Sequence, residues 1–450
     1  MASAVEQLAR NANWGALAKA TELKQRILFV LGALLVYRLG TYIPVPGIDP
    51  AVWNDIFSQT TKGGGILNTL NMFSGGALSR MTIFSLNIMP YISASIIMQL
   101  ATAMSPKLEE MKKEGEVGRM KINQYTRYLT VLLATVQGYG LAVGLEAMSG
   151  AGGASVVIDP GLFFRISTVV TIVGGTVFLM WLGEQITSRG VGNGISLIIF
   201  AGIVAEFPRA VATTLELSST GAISGAMLLF LAVMVISVIA LIVFVERAQR
   251  RVVVQYPKRQ AGNQMSAGQT NHIPLKLNTA GVIPPIFASS LLLLPLTIVN
   301  FAGAGGNEFL SEISRHLSNG QPVYMALYGL LIVFFCFFYT AIVFNPEENA
   351  EMLRKYGGFI PGIRPGKNTA DYLDFVLTRI SVIGALYLVF ICLLPEFLIA
   401  KYSMPFYFGG TSLLIVVSVT MDTVAQIHSH LIAHQYEGLV KRTKLRGKRR

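Results

Sequence analysis

Charge is what this sequence has least of. Only 13% of its 450 residues are Asp, Glu, Lys or Arg, about half the roughly 25% of a soluble domain. Hydrophobic residues make up 52%, and mean hydropathy is +0.55. Water cannot be the solvent for most of such a surface, which excludes an ordinary soluble enzyme. Cysteine is also scarce. Cys336 and Cys392 both lie in apolar runs, so no disulfide framework or CxxC metal pair is available; two buried thiols packing as small hydrophobes is the expectation. Carboxylates are missing from the middle of every apolar run: Glu184, Glu206, Glu246, Glu396 and Asp422 all sit towards run ends. Ion-coupled transporters usually place a carboxylate or an interrupted helix at the coupling ion, so this absence argues against a secondary transporter. Residues 1–25 lack the apolar core of a cleavable signal. Val5, Leu8, Trp14 and Leu17 instead fit the apolar stripe of a short interfacial helix.

Catalytic motifs are missing too. Gly362-Ile-Arg-Pro-Gly-Lys367 resembles a phosphate loop, but Pro361 stands where that motif requires glycine. Gly190-Val-Gly-Asn-Gly194 follows a helical run rather than a strand, which excludes a dinucleotide site. His428, His430 and His434 have only Glu437 nearby to complete a metal site. Adventitious metal binding is the expectation there, with no cofactor and no catalytic residue.

What the chain does have is long apolar runs. Ten occur, at Ile27–Tyr42, Thr82–Met104, Tyr128–Met148, Leu162–Leu182, Val191–Phe207, Ala222–Val245, Ala280–Phe301, Val323–Phe344, Ile380–Ala400 and Phe406–Val424. Most approach the ~20 residues that carry a helix across ~30 Å of hydrocarbon, and helices satisfy their own backbone there. The fold class is therefore an all-α membrane protein with ten transmembrane helices. The net charge is +12, and its placement gives the orientation. With the N-terminus cytoplasmic, all but seven of the 36 lysines and arginines fall on the cytoplasmic side, as the positive-inside bias requires. The seven are Arg38, Lys62, Arg80, Arg165, Arg209, Arg315 and Lys401. Both termini are then cytoplasmic, in segments 1–26 and 426–450.

Three connections stand out. The outward stretch Pro44–Met81 is glycine-rich and holds the semi-apolar patch Ile66–Phe73, too short to span. A re-entrant half-helix buried in protein is the preferred reading, and a helix lying on the membrane surface the alternative. Two cytoplasmic loops, Glu246–Lys276 and Asn345–Thr378, are polar, basic and each about thirty residues long, a length that tends to be functional. Within the spans, Ile88 and Ile92, and Ile195 and Ile199, are each four apart and share a helix face. By spacing alone they are packing residues. Gln99, Gln137 and Asn278 are the few polar residues in or beside spans, as a static helix–helix clamp or a gating contact.

Several stretches resemble the SecY/Sec61 α family. They are Asn71-Met-Phe-Ser-Gly-Gly-Ala-Leu-Ser-Arg80, Ile88-Met-Pro-Tyr-Ile-Ser-Ala-Ser-Ile96, Trp181-Leu-Gly-Glu-Gln-Ile-Thr187, Gly192-Asn-Gly-Ile-Ser196, Ala280-Gly-Val-Ile-Pro284, Pro361-Gly-Ile-Arg-Pro-Gly366 and Pro405-Phe-Tyr-Phe-Gly-Gly-Thr-Ser412. The resemblance implies a protein-conducting channel of the inner membrane, built from two pseudo-symmetric five-helix halves, residues 27–207 and 208–425. It implies a pore ring of Ile88, Ile92, Ile195, Ile199, Ile286 and Ile415. A plug at about 66–80 would include Asn71, Met72, Phe73, Ser74, Gly75 and Gly76. Gln99, Gln137 and Asn278 match a lateral gate. Arg364, Arg250, Arg251, Lys258 and Arg259 would dock the SecA ATPase or a ribosome on loops 246–276 and 345–378. The implied partners are SecE and SecG, SecA, the ribosome, signal sequences with their nascent chains, and membrane lipids. Many members carry an arginine pair where this chain has Asn263 and Gln264, which implies weaker or displaced ribosome contacts. A membrane scaffold, by contrast, would need no pore ring.

Overall fold

Each apolar run is a helix for most of its length. The computed structural model describes residues 21–61, 71–148, 155–221, 224–256, 260–261, 264–265, 270–302, 321–402 and 410–447. In chain order the elements are α1 (Thr21–Gly40), α2 (Pro50–Thr61), α3 (Met89–Met104), α4 (Pro106–Lys113), α5 (Glu116–Ala147), α6 (Leu162–Arg189), α7 (Gly194–Ser219) and α8 (Gly225–Arg247). Strands β1 (Gln249–Gln255), β2 (Gln260–Ala261), β3 (Gln264–Met265) and β4 (Thr270–Lys276) follow. The remainder is α9 (Ile283–Ala302), α10 (Pro322–Val343), α11 (Pro346–Lys355), α12 (Lys367–Tyr402) and α13 (Gly410–Gly447). Among the described residues, seven helices are long and apolar enough to cross a membrane, and Met89–Met104 and Ile283–Leu292 are shorter apolar helices. The chain is a multi-pass membrane protein.

The boundaries depart from the apolar runs for local reasons. The second run begins at Thr82, yet its helix begins only at Met89, with Pro90 in the first turn. Residues 74–88 are successive turns, with a bridge partner at Thr82 and Asn87 in the left-handed region at φ 50°. Hydropathy cannot distinguish a buried chain of turns from a span. In the opposite direction, α5 and α12 extend well beyond their apolar runs. The segment expected as a basic tail continues α13 to Gly447.

By contacts the chain divides into two units. The first comprises Met1–Ala212, Leu294–Ser314 and Val419–Arg450, the second Thr213–Leu293 and Arg315–Ser418. In the first, α5 packs on both α3 and α6, and α1 packs on α6. Two ion pairs fix the register of α5 against α6. Arg127 reaches both carboxylate oxygens of Glu184 at 2.9 and 2.8 Å, and Arg165 Nε donates to Glu146 at 2.8 Å. An apolar cluster closes one end of this unit, with Trp53 and Phe57 of α2 against Val45, Leu78, Met81, Leu145, Val157 and Phe164.

In the second unit α10 and α11 each pack on α12. Asn345 caps α11 by accepting from Glu347 N at 3.1 Å, just ahead of Pro346. The two long basic loops prove to be one structure. Strands β1 and β4 pair antiparallel, with Val252 opposite Ile273 and Arg251 opposite Pro274. Gln255 exchanges both backbone hydrogen bonds with Phe359 at 2.8 and 3.0 Å. Val252, Val254 and Leu275 then share a core with Ile360, Leu373, Val376 and Ile380. Period-two burial along β1 turns Val252 and Val254 inward while Arg251 and Val253 face out.

Candidate functional site: a buried plug and its surroundings

The turns that precede α3 are the least ordinary part of the first unit. After one helical turn at residues 71–73 the backbone runs through turns to Ile88. Asn71, Phe73, Ser74, Ala77, Leu78 and Ser79 are all buried. This burial does not fit a helix lying on the membrane surface for residues 71–79; the half-helix expected from Ile66 onward lies partly outside the described residues, and the part within them is helical only at residues 71–73. A non-helical backbone at this depth must find partners inside the protein, and it does. Asn71 Oδ1 accepts from Ser79 N at 2.8 Å, and Asn71 O accepts from Gly76 N at 2.9 Å and Ser74 Oγ at 2.9 Å. Ser79 Oγ donates to Gly76 O at 2.9 Å.

Neighbouring elements and the segment's own return hold it from several sides. Asn87 Nδ2 donates to Phe73 O at 2.6 Å, and Tyr37 of α1 donates its hydroxyl to Ser74 O at 3.3 Å. Arg38 Nη1 and Arg80 Nη2 both donate to Gly75 O, at 2.6 and 3.0 Å. Trp53 Nε1 donates to Leu78 O at 3.0 Å. Glycines make the approach possible. A Cβ on Gly202 of α7 would lie 2.7 Å from Phe73 O, and one on Gly175 of α6 would collide with Ile83 O. Phe84 enters beside Gly40 and Gly175 and stacks between Tyr37 and Phe178, at 6.1 and 6.0 Å between ring centroids.

The six isoleucines expected to form a pore ring fall four in the first unit and two in the second. Ile88, at the N-cap of α3, Ile92 one turn on, and Ile195 and Ile199 near the start of α7 belong to the first. Ile286 of α9 and Ile415 of α13 belong to the second. Ile88, Ile92, Ile199 and Ile415 are buried, and Ile195 and Ile286 half-buried. Ile195 packs on Gly183, where a Cβ would lie 3.1 Å from its Cγ1.

The three lateral-gate candidates also divide. Gln99 and Gln137 lie on the packed pair α3 and α5. Gln99 Nε2 reaches Ser95 Oγ at 3.2 Å, while its buried Oε1 finds no partner. Asn278, in the other unit, sits in the turn before α9 and is buried. Its Nδ2 donates to Glu246 Oε1 at 2.7 Å and to Gly281 O at 3.0 Å, and its Oδ1 accepts from Gly281 N at 3.0 Å. Asn278 is thus a turn-former as well as a gate candidate, a role invisible without Glu246, 32 residues away.

The docking candidates line the joined loops. Arg250 and Arg251 are exposed on β1, and Arg364 is exposed in the turn between left-handed Gly362 and Gly366. Arg364 O accepts from Thr369 Oγ1 at 2.9 Å, which ties that turn to the start of α12. Lys258, Arg259 and Asn263 lie outside the described residues, and Gln264 opens β3. Among the described residues, no group of three His, Cys, Asp or Glu is placed to hold a metal; His434's side chain falls outside them.

Reading the sequence without its fold missed Tyr37, Arg38, Arg80, Asn87, Gly202 and Glu206 around the plug, and Glu246 beside Asn278. One signal was available. Arg38 and Arg80 are two of the seven basic residues that defy the positive-inside bias, and a charge kept on the outward side against that bias asks for a reason.

A family model described as SecY matches residues 82–424. A protein named "Protein translocase subunit SecY" from Escherichia coli K12 is 56% identical over 427 residues, covering 95% of this chain and 96% of the relative. Its namesake in Vibrio cholerae is 54% identical over 431 residues, with coverages of 95% and 96%. Among solved structures, "The structure of a protein conducting channel" superposes with a TM-score of 0.60 at 18% identity, covering 90% of this chain and 92% of that one. Sec61 in a canine ribosome-channel complex from the endoplasmic reticulum gives 0.55 at 18%, with the same coverages. At such identities these structures speak for the fold.

Proposed function

The chain belongs to the SecY family of protein translocase subunits, and from that premise we propose how its residues pass polypeptide while holding back ions. The observation that carries the reading is the plug: a buried, non-helical segment, satisfied by hydrogen bonds from α1 and its own return, that leads directly into Ile88 and α3. A segment so arranged can leave without unravelling a helix. That suits a stopper and not a structural core.

The pore proper is the ring of Ile88, Ile92, Ile195, Ile199, Ile286 and Ile415. Branched aliphatic side chains offer no fixed hydrogen bonds, so they press on any passing side chain and retain none, while a hydrophobic constriction excludes hydrated ions. Gln99 and Gln137, on α3 and α5, and Asn278, before α9, are the lateral-gate residues. A signal sequence is an apolar helix, and each CH₂ it buries is worth roughly 0.8 kcal/mol. It opens the gate insofar as it binds the open state better than the closed one.

The energy comes from outside the chain. The β1–β4 hairpin and the Arg364 turn, fused by the Gln255–Phe359 bridge, form one basic platform, on which SecA or a ribosome docks and which Arg364 presents to the motor. The protein sits in the inner membrane with both termini cytoplasmic, in complex with SecE and SecG. The test is reconstitution in liposomes with SecE, SecG, SecA and ATP, scoring protease-protected preprotein. ATP-dependent protection supports the reading, and none above a SecA-free control refutes it.

A further inference from the structure

Resting on the channel reading, we infer that Arg38 of α1, with Arg80 and Glu206 beside it, latches the plug shut at a single backbone oxygen, that of Gly75. Both guanidinium groups donate to it, at 2.6 and 3.0 Å, which takes up the two lone pairs a carbonyl can offer. Hydrogen bonds from an ionised donor are roughly twice as strong as neutral ones, so the Arg38 bond ties the segment to α1 more firmly than the neutral bonds from Tyr37, Trp53 and Asn87.

Two cations aimed at one oxygen repel each other, and the surroundings offset this. The Tyr42 ring lies 4.1 Å from Arg80 Cζ and 5.2 Å from Arg38 Cζ, where the ring face attracts cations. Its hydroxyl also accepts from Arg38 Nη2 at 3.2 Å. The Glu206 carboxylate lies against Gly76, where a Cβ would collide with its Oε1 and lie 2.9 Å from Arg80 Nη2. Gly75 and Gly76 take φ of 64° and 80°, a left-handed pair that presents the carbonyl to both arginines and that side-chain-bearing residues rarely adopt. A Cβ on Gly75 would be 3.0 Å from Gly202 Cα, so the seat is fitted on both sides. Arg38 stands in the last turn of α1; breaking its bond to Gly75 costs no helical hydrogen bond. The Arg38 contact can therefore be released without disturbing the spans.

The experiment uses the full complex in liposomes and reads two quantities: resting ion leak, and SecA-driven export of one preprotein with an intact and with a defective signal. Arg38→Met should raise the leak about tenfold, the population shift expected from losing one charge-assisted hydrogen bond; Arg80→Met, which removes a bond within the segment, should raise it less. Each should also admit the defective-signal substrate while still exporting the intact one. Arg38→Lys keeps a donor for the Gly75 carbonyl and should recover most of the seal. Glu206→Gln should leak to an intermediate degree. Loss of inserted complex together with both exports would mark Arg38 as merely structural and overturn the latch. So would an unchanged leak in Arg38→Met where Ile92→Asn leaks; the channel reading would survive that result. Absence of transport in the wild-type complex would instead refute the channel reading, and the latch with it.

Discussion

An isoleucine four residues from another on a helix is, from spacing alone, a packing residue, and nothing in the bare sequence of α3 or α7 says otherwise. What gives Ile88 and Ile92 another meaning is the resemblance to the SecY family, from which the proposed pore ring is drawn; in the structure Ile88 follows directly on a buried chain of turns. Replacing a ring isoleucine with asparagine puts hydrogen-bonding groups where the closed state offers none, and a buried unpaired amide costs about 1–3 kcal/mol. The double variant Ile92→Asn with Ile286→Asn should destabilise the closed channel and loosen signal discrimination. Export of a preprotein with a defective signal measures this, and a rate equal to wild type would count against the ring. Asn278 shows the same dependence on surroundings. Its amide is committed on both sides, to Glu246 and to the Gly281 turn, so any gating role works by exchange of an existing bond. Sequence alone left a clamp and a gate contact equally open for it.

At the scale of elements, the α5–α6 pair is held by charge as well as by packing. Glu146 accepts from Arg165 and from Gly161 N at 3.0 Å, with a side chain only 10% exposed against 34% for the arginine. Glu146→Gln keeps the shape but loses the charge, and should lower stability by about 1.5 kcal/mol, the low end for charged hydrogen bonds, because the arginine is partly solvated. Thermal unfolding in detergent would register it as a fall in Tm, and no fall would mean the pair is idle. The basic platform makes a functional prediction. Arg364 is exposed and supports no core, so Arg364→Glu should block motor-driven export while leaving Tm within error of wild type; normal export kinetics would refute its docking role. Elements also show where sequence reading stops. All ten apolar runs contain helix, because apolar length is a property of the chain itself. The start of α3 was misplaced by seven residues, from Thr82 to Met89, because a buried turn is as apolar as a span. The pairing of Gln255 with Phe359 joins residues from two loops that read only as polar and basic. The Val252/Val254 alternation was present, but three consecutive valines masked its period.

For the whole molecule, one design consideration links the scales. A path for polypeptide has to be apolar enough to seal and indifferent enough to release, and its stopper has to be stable without being part of a helix. The proposed plug meets the second condition by taking its hydrogen bonds partly from its own residues and partly from Tyr37, Arg38 and Trp53 on neighbouring elements. That explains why it was half legible. The motif Asn71–Arg80 pointed to the family, whereas the clamp on Gly75 joins a side chain to a backbone oxygen 37 residues away, and a backbone acceptor leaves no mark on the sequence. The pore ring became legible only through resemblance. Cross-linking decides whether translocating chain passes those six isoleucines. In a background with Cys336 and Cys392 replaced, single cysteines are placed at Ile88, Ile92, Ile195, Ile199, Ile286 and Ile415 in turn, with Ile236, 68% exposed on α8, as the lipid-facing control. A stalled preprotein carrying one cysteine in its mature region should form a disulfide with each ring position and not with the control. Cross-links as frequent at Ile236 as at the ring, or absent from the ring, would contradict a path through the ring.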